Sequence, residues 1–165
     1  MIGRRIIASV ALGLLTSACT IAETSTAPSA GSRVAVVVTR VVDGDTAHVD
    51  LDGRDVTVRF IGIDTPEVAP DQPRECFGPE ASAYTTDRLE AQEVDLEFDV
   101  ERTDRYDRTL AYIWIGQELF NETLVREGYA LITTFPPNVR YVERYIEAQR
   151  AARSEGAGLW GACGG

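Results

Sequence analysis

Lysine is absent. All 16 basic residues of the 165-residue chain are arginine, and 26 acids oppose them for a net charge of −10. That balance excludes binding nucleic acid by bulk electrostatic attraction, though not through a local arginine cluster or a bound cation. The single histidine, His48, is too few for a multi-histidine metal site. No apolar run reaches the roughly 18 residues of a membrane-spanning helix. What is present, 44% apolar and 25% charged residues, is the composition of a globular protein. The length suits one domain with some to spare.

The spare length lies at the N-terminus. Arg4 and Arg5 precede an apolar stretch over residues 6–15, and Ser17, Ala18 and Cys19 follow. This is the anatomy of an export signal. Leu15-Thr16-Ser17-Ala18-Cys19 is similar to a bacterial lipobox, in which the cysteine is lipidated and becomes the new N-terminus; Thr16 stands where leucine is usual. The competing reading is a plain secretory signal with an incidental cysteine. The expected division is a signal peptide over 1–18, a lipid-anchor cysteine and tether over 19–32, and a folded domain over 33–165. Residues 20–32 are small and polar and cannot bury enough surface to fold. As a flexible chain they would span about 20 Å. The expected location is the outer face of the cell membrane, attached through lipid only, or the medium. Loss of residues 1–18 removes two arginines and no acids, leaving a charge of −12.

If Cys19 is lipidated, Cys76 and Cys163 remain as a pair. In an oxidising compartment they can form a disulfide, which the chain-entropy argument values at about 4.6 kcal/mol less any strain. Two free buried thiols are the alternative.

Within the domain, β-branched Val34 to Val42 reads as a strand. Ala47, Val49 and Leu51 alternate with polar residues, Asp52-Gly53 signals a hairpin turn, and Val56, Val58 and Phe60 mark the return strand. Pro79 opens a helix to about Ala91. Residues 94–98 and 110–115 read as further strands. Asn121 is placed to cap a short helix ending near Gly128. Val142, Tyr145, Ile146 and Gln149 share a helical face within 139–154. Five short strands with segregated helices predict a fold of class β with α: a five-stranded Greek-key barrel of the OB type with about three helices.

Three polar clusters interrupt these elements: Asp43-Gly44-Asp45-Thr46, then Arg59 with Asp64-Thr65-Pro66-Glu67, then residues 102–108. Taken singly, each has a plain structural reading as a turn, a solvated surface arginine, a helix start, or a solvated loop. Together they assemble a chemistry. Asp45 and Asp64 are hard oxygen donors suited to Ca²⁺ or Mg²⁺. Arg59 and Arg108 match phosphate oxygens bidentately. Glu67 can serve as a base or orient water. These are the parts for attack of water on a phosphodiester. An EF-hand over the acidic stretch is excluded, because Gly53 falls two residues early and Ile61 stands where the terminal glutamate belongs.

The strings at 42–46, 59–67, 78–83, 102–113 and 121–128 resemble the thermonuclease (staphylococcal nuclease) family in order and spacing, over about Val38 to Trp160. The resemblance implies an OB-fold barrel that hydrolyses DNA and RNA with Ca²⁺ and leaves 3′-phosphates. It implies that Asp45 and Asp64 bind calcium through carboxylates and Thr65 through its main-chain carbonyl. It implies Glu67 as general base or water-positioner, and Arg59 and Arg108 as the phosphate clamp. Single-stranded substrate and a monomer are expected.

The chain also departs from the family pattern. Asp107 replaces a common glycine before the second clamp arginine, where its carboxylate could compete for the guanidinium. Two pocket tyrosines are missing from the segment 133–138, leaving Phe135 and Tyr106 as candidate substrate contacts. A lysine-rich loop is replaced by Val68–Glu75, with Arg74 its one basic residue. Weaker polymer binding with intact chemistry is therefore expected. Two other readings remain at this level: a non-catalytic nucleic-acid-binding OB module, and a surface protein that binds calcium or a protein partner.

Overall fold

The computed structural model describes residues 31–68 and 75–164. The export signal, Cys19, most of the tether and Arg74 lie outside the described residues. Strand β1 (Arg33–Val41) buries Val36 and Val38 on one parity. It pairs antiparallel with β2 (Thr46–Leu51), with a register shift between Val38 and Arg40. Asp52 and Gly53 both take positive φ, 55° and 75°, so the expected tight turn leads into β3 (Arg54–Phe60). The Gly53 N–H donates to Asp50 Oδ1 at 2.7 Å.

The remaining order is β4 (Ile63–Asp64), α1 (Gly78–Leu89), β5 (Glu93–Glu97), β6 (Thr109–Ile115), β7 (Glu118–Leu119), α2 (Phe120–Arg126), β8 (Leu131–Ile132), α3 (Val142–Glu155) and the one-turn α4 (Leu159–Ala162). The sheet runs β3-β2-β1-β5-β6-β7 and closes through a parallel pairing of β3 with β6. This is the OB-type barrel with helices segregated outside it. Closure removes the open edges of the five main strands. Inward residues such as Val49, Val58, Phe60, Leu96 and Ile113 are fully buried and join one core with Phe120 and Leu124 of α2 and Tyr145 of α3.

Two local readings are corrected. Asn121 does not cap α2. The helix starts one residue earlier, and Asn121 is buried inside its first turn, accepting from the Ile113 N–H at 2.8 Å and donating to the Ile61 carbonyl at 3.0 Å. A buried amide with two backbone groups to satisfy is worth more there than as a cap. The segment after Asp64, which reads as a helix start, has no helix over residues 65–68.

Candidate active site

The site follows from strand register. Thr46 of β2 pairs with Arg59 of β3, and the Phe60 N–H donates to the Asp45 carbonyl at 2.9 Å, so the ladder itself sets Asp45 beside Arg59. Arg59 Nε lies 3.1 Å from Asp45 Oδ1. Its Nη1 donates to the carbonyls of Phe60 and Ile63 at 3.0 and 2.8 Å, and its Nη2 to Asp64 Oδ1 at 2.7 Å. The plain reading of Arg59 as a solvated surface charge therefore fails: its side chain is 16% exposed and ties two carboxylates together. The other oxygen of Asp45 accepts from the Thr65 N–H at 2.8 Å and from Thr65 Oγ1 at 3.1 Å.

The turn that carries Asp45 is fixed from beneath. A side chain at Gly44 would meet the Thr65 side chain at 2.6 to 2.8 Å, so only glycine lets the two segments approach. Thr85 of α1, fully buried, donates its hydroxyl to the Gly44 carbonyl at 2.8 Å. Burial pushes the Asp45 carboxyl up to about 6; Arg59 opposes this, and Asp43 and Asp64 add to it. Glu67 is exposed on the segment after Thr65. Its carboxyl is raised by partial desolvation and by the charges of Asp43, Asp64 and Glu75, with Arg59 opposing.

The second arginine arrives through barrel closure. Arg59 pairs with Leu110 across the parallel β3–β6 ladder, so the loop before β6 ends beside Arg59. Asp104 organises that loop. Its Oδ1 accepts the N–H groups of Tyr106 and Arg108 at 2.9 and 3.0 Å, and its Oδ2 accepts Arg108 Nε at 2.8 Å. Burial alone would raise the Asp104 carboxyl; these bonds to Arg108 and Tyr106 outweigh it and hold it low. Asp107 sits at φ 64°, which explains the glycine common at this position: the turn needs left-handed backbone, and aspartate is among the side chains that tolerate it. The ion-pair partner of Arg108 is Asp104, not Asp107.

Arg59, Asp64, Asp104, Tyr106, Arg108 and Phe135 line one cleft of about 530 Å³. Phe135 is 73% exposed and Tyr106 65%, so neither is a core aromatic. The guanidiniums of Arg105 and Arg108 lie 4.7 and 5.5 Å from the Tyr106 ring. Thr133 and Phe135 reach the cleft because Ile63 pairs with Ile132 and the Thr133 N–H donates to the Gly62 carbonyl at 3.0 Å.

The sequence profile of the family described as "Staphylococcal nuclease homologue" matches residues 57–162. The chain is 48% identical over 124 residues to a protein named thermonuclease from Staphylococcus hyicus, covering 74% of this chain and 73% of the relative. It is 46% identical over 125 residues to the thermonuclease of Staphylococcus intermedius, covering 75% and 74%. The SPbeta prophage-derived endonuclease YokF of Bacillus subtilis is 36% identical over 132 residues, covering 77% of this chain and 44% of the relative. The chain belongs to the staphylococcal nuclease family.

Asp45, Asp64 and the Thr65 carbonyl are hard oxygen donors, and the excess charge of Asp43, Asp45, Asp64 and Glu67 is opposed locally by Arg59. A carboxyl raised by burial and further by its acidic neighbours is what a divalent cation relieves, so the donor set fits calcium. Among the described residues no three acidic, histidine or cysteine side chains close into one metal-holding group. The remaining donors of such a site would be main-chain carbonyls and water.

The structure thus places Asp45, Arg59, Asp64 and Thr65 in direct contact, sets Arg108, Tyr106 and Phe135 on the same cleft, and puts Glu67 within the same charge cluster. Cys76 and Cys163 are joined, with S–S 2.08 Å. Sequence reasoning missed three supporting residues. Thr85 shares the buried stripe of α1 with Ala81 and Leu89, a polar residue at an apolar position. Asp104 precedes Arg108 by four residues, an ion-pair spacing. Asn138, 4% exposed, bonds both backbone groups of Glu101 and so anchors the start of the Arg108 loop; it carries no local signal.

Proposed function

We propose that the chain is an exported, calcium-dependent nuclease that hydrolyses phosphodiester bonds of DNA and RNA, favouring single strands and leaving 3′-phosphates. The observation that carries this reading is the convergence of two arginines from distant segments on one cleft, with Arg59 there bonded both to the buried, raised Asp45 and to the exposed Asp64. Bound by Asp45, Asp64 and the Thr65 carbonyl, calcium would supply positive charge to a phosphoryl oxygen and make coordinated water more acidic. Arg59 and Arg108 hold the non-bridging oxygens and oppose the charge that builds in the transition state. Glu67 accepts the proton of the attacking water, and its raised carboxyl makes it a better base. Attack at phosphorus expels the 5′-oxygen. Tyr106 and Phe135 offer faces to a nucleoside.

The sequence supports attachment through lipid on Cys19, and a single copy holds every residue named here, which supports a monomer. The deciding experiment is digestion of single-stranded DNA with calcium and with excess chelator, followed by analysis of the ends. Cleavage in calcium alone, with ends that need phosphatase before a polymerase can extend them, is expected. Tight binding in chelator without cleavage in calcium would leave the non-catalytic module instead. A Cys19→Ser variant should move from the membrane to the soluble fraction; unchanged partitioning would remove the lipid.

A further inference from the structure

The segment bearing Glu67 is held by neither helix nor strand. Its backbone is fixed by Glu75: the Glu75 N–H donates to the Glu67 carbonyl at 3.1 Å, and the Glu67 N–H donates to Glu75 Oε2 at 3.1 Å. Glu75 is fixed in turn by the Gly78 N–H, which donates to its carbonyl at 3.1 Å. A side chain at Gly78 would lie 2.7 Å from the Glu67 carbonyl and 3.0 Å from that of Pro66, so the start of α1 packs directly on the base-bearing backbone.

Between Glu75 and Gly78 stand Cys76 and Phe77. Phe77 takes φ 70°, a region a bulky side chain avoids, and its ring stacks on Tyr129 at 5.4 Å. Cys76 is bridged to Cys163, with Cα atoms 5.8 Å apart. Cys163 caps the C-terminus of the one-turn α4, which is tied to the body of the protein by the Leu159 N–H donating to the Gly128 carbonyl at 2.9 Å. The bridge therefore holds a strained junction, and through Glu75 it holds Glu67.

We propose that the Cys76–Cys163 bridge, acting through Glu75, is the positioning device for Glu67, so that turnover depends on the redox state of the bridge. This rests on the reading of Glu67 as the base. Reduction consumes two thiol equivalents, which leave as their own disulfide, and yields the free thiols of Cys76 and Cys163. Phe77 can then leave its left-handed conformation, and the hydrogen bonds between Glu75 and Glu67 open with it. Asp45, Asp64 and Thr65 are held instead by Arg59 and by the hydrogen bonds from Thr65 to Asp45, so the loss falls on the chemical step. The bridge thereby keeps the enzyme active in an oxidising compartment and slow in a reducing one.

The test uses the full chain, oxidised and after reduction with a dithiol and alkylation, beside Cys76→Ser/Cys163→Ser and, with the bridge intact, Glu75→Ala and Glu75→Gln. The readouts are kcat and KM on a short single-stranded oligonucleotide at saturating Ca²⁺, and hydrogen exchange at the Glu67 amide. Opening the bridge, or Glu75→Ala, should lower kcat by about 10- to 100-fold with KM changed less than about twofold, and should remove protection of the Glu67 amide. Glu75→Gln should keep the amide protection and most of kcat, well above Glu75→Ala, because its amide oxygen still accepts the Glu67 N–H. Reduced protein that turns over at the oxidised rate overturns the proposal, as does slowed turnover with the Glu67 amide still protected. If the reduced forms unfold, Glu75→Ala decides, and full kcat there overturns it. Glu67→Gln is the reference: if it retains activity, the assignment of the base has failed rather than the positioning device.

Discussion

Asp45 and Arg59 are joined by an ion pair, yet burial wins at the carboxyl and raises it from 3.8 to about 6. A raised carboxyl means that the folded chain binds this proton more tightly than the unfolded chain does. In chelator, its contribution to stability is full below about pH 4 and is lost as pH rises through about 6, on the order of 3 kcal/mol. Urea denaturation across that range, compared with Asp45→Asn, reads this directly; a difference between the two proteins that stays flat with pH would refute it. Calcium bound at Asp45 as proposed would take the place of the proton, so calcium affinity should climb over the same window. The two arginines should separate by the same logic. Each alanine variant should lose on the order of 3 kcal/mol of transition-state stabilisation, about a hundredfold in turnover or more. Arg108 pairs with Asp104 in a surface loop, so Arg108→Ala should melt close to the parent. Arg59→Ala strands the buried Asp45 and should cost about 3 to 5 kcal/mol at pH 8, where protonation gives less relief than at acid pH. Normal turnover in both purified variants would remove the phosphate clamp; a low melting point in Arg108→Ala would make that residue structural.

Elements legible in the sequence are those whose pattern is local. The five barrel strands announce themselves by alternation or β-branching, the β2–β3 turn by Asp52-Gly53, α1 by the helix-starting Pro79, and α3 by helical spacing. What was not legible depends on contacts made late. Two-residue β4 and β8 are too short to show a period, and each exists because it has the other. The one-turn α4 stands against Gly128, where glycines at 128 and 158 let the backbones nearly touch. Asn121 looks like a cap by type and position, yet tertiary demand from Ile61 and Ile113 overrides that preference. Arg59 and Arg108 could be named from the motifs, but their meeting needs the parallel closure of β3 on β6, which no local signal carries. Thr85 is the clearest link between element and site. Thr85→Val keeps the shape and removes the hydroxyl, leaving the Gly44 carbonyl unpaired in the interior. The expected cost is about 1 to 3 kcal/mol by denaturation, together with weaker calcium binding by calorimetry as the Asp45 turn relaxes. Parent-like calcium affinity in a destabilised Thr85→Val would confine that bond to folding.

Over the whole molecule, charge is set against the substrate. The chain carries −10 overall, and even the cleft mixes Arg59, Arg105 and Arg108 with Asp64, Glu101 and Asp104. Asp104 is already paired with Arg108, and Asp64 with Arg59, so little free positive potential remains to draw a polyanion from a distance. Calcium should then matter twice, in the chemistry and as the charge that makes the cleft attractive to phosphate. Binding should engage only the few phosphates at the cleft, with a high KM and the release of about two to three counterions from a single strand. The measurement is binding of a short single-stranded oligonucleotide over a salt series at saturating Ca²⁺, with Glu67→Gln to block cleavage. Added calcium chelator should weaken binding strongly, because the acidic cluster then faces the phosphate uncompensated. A slope typical of six or more phosphates would reveal an extended basic track, for which the arginine-only, acid-rich surface offers no material.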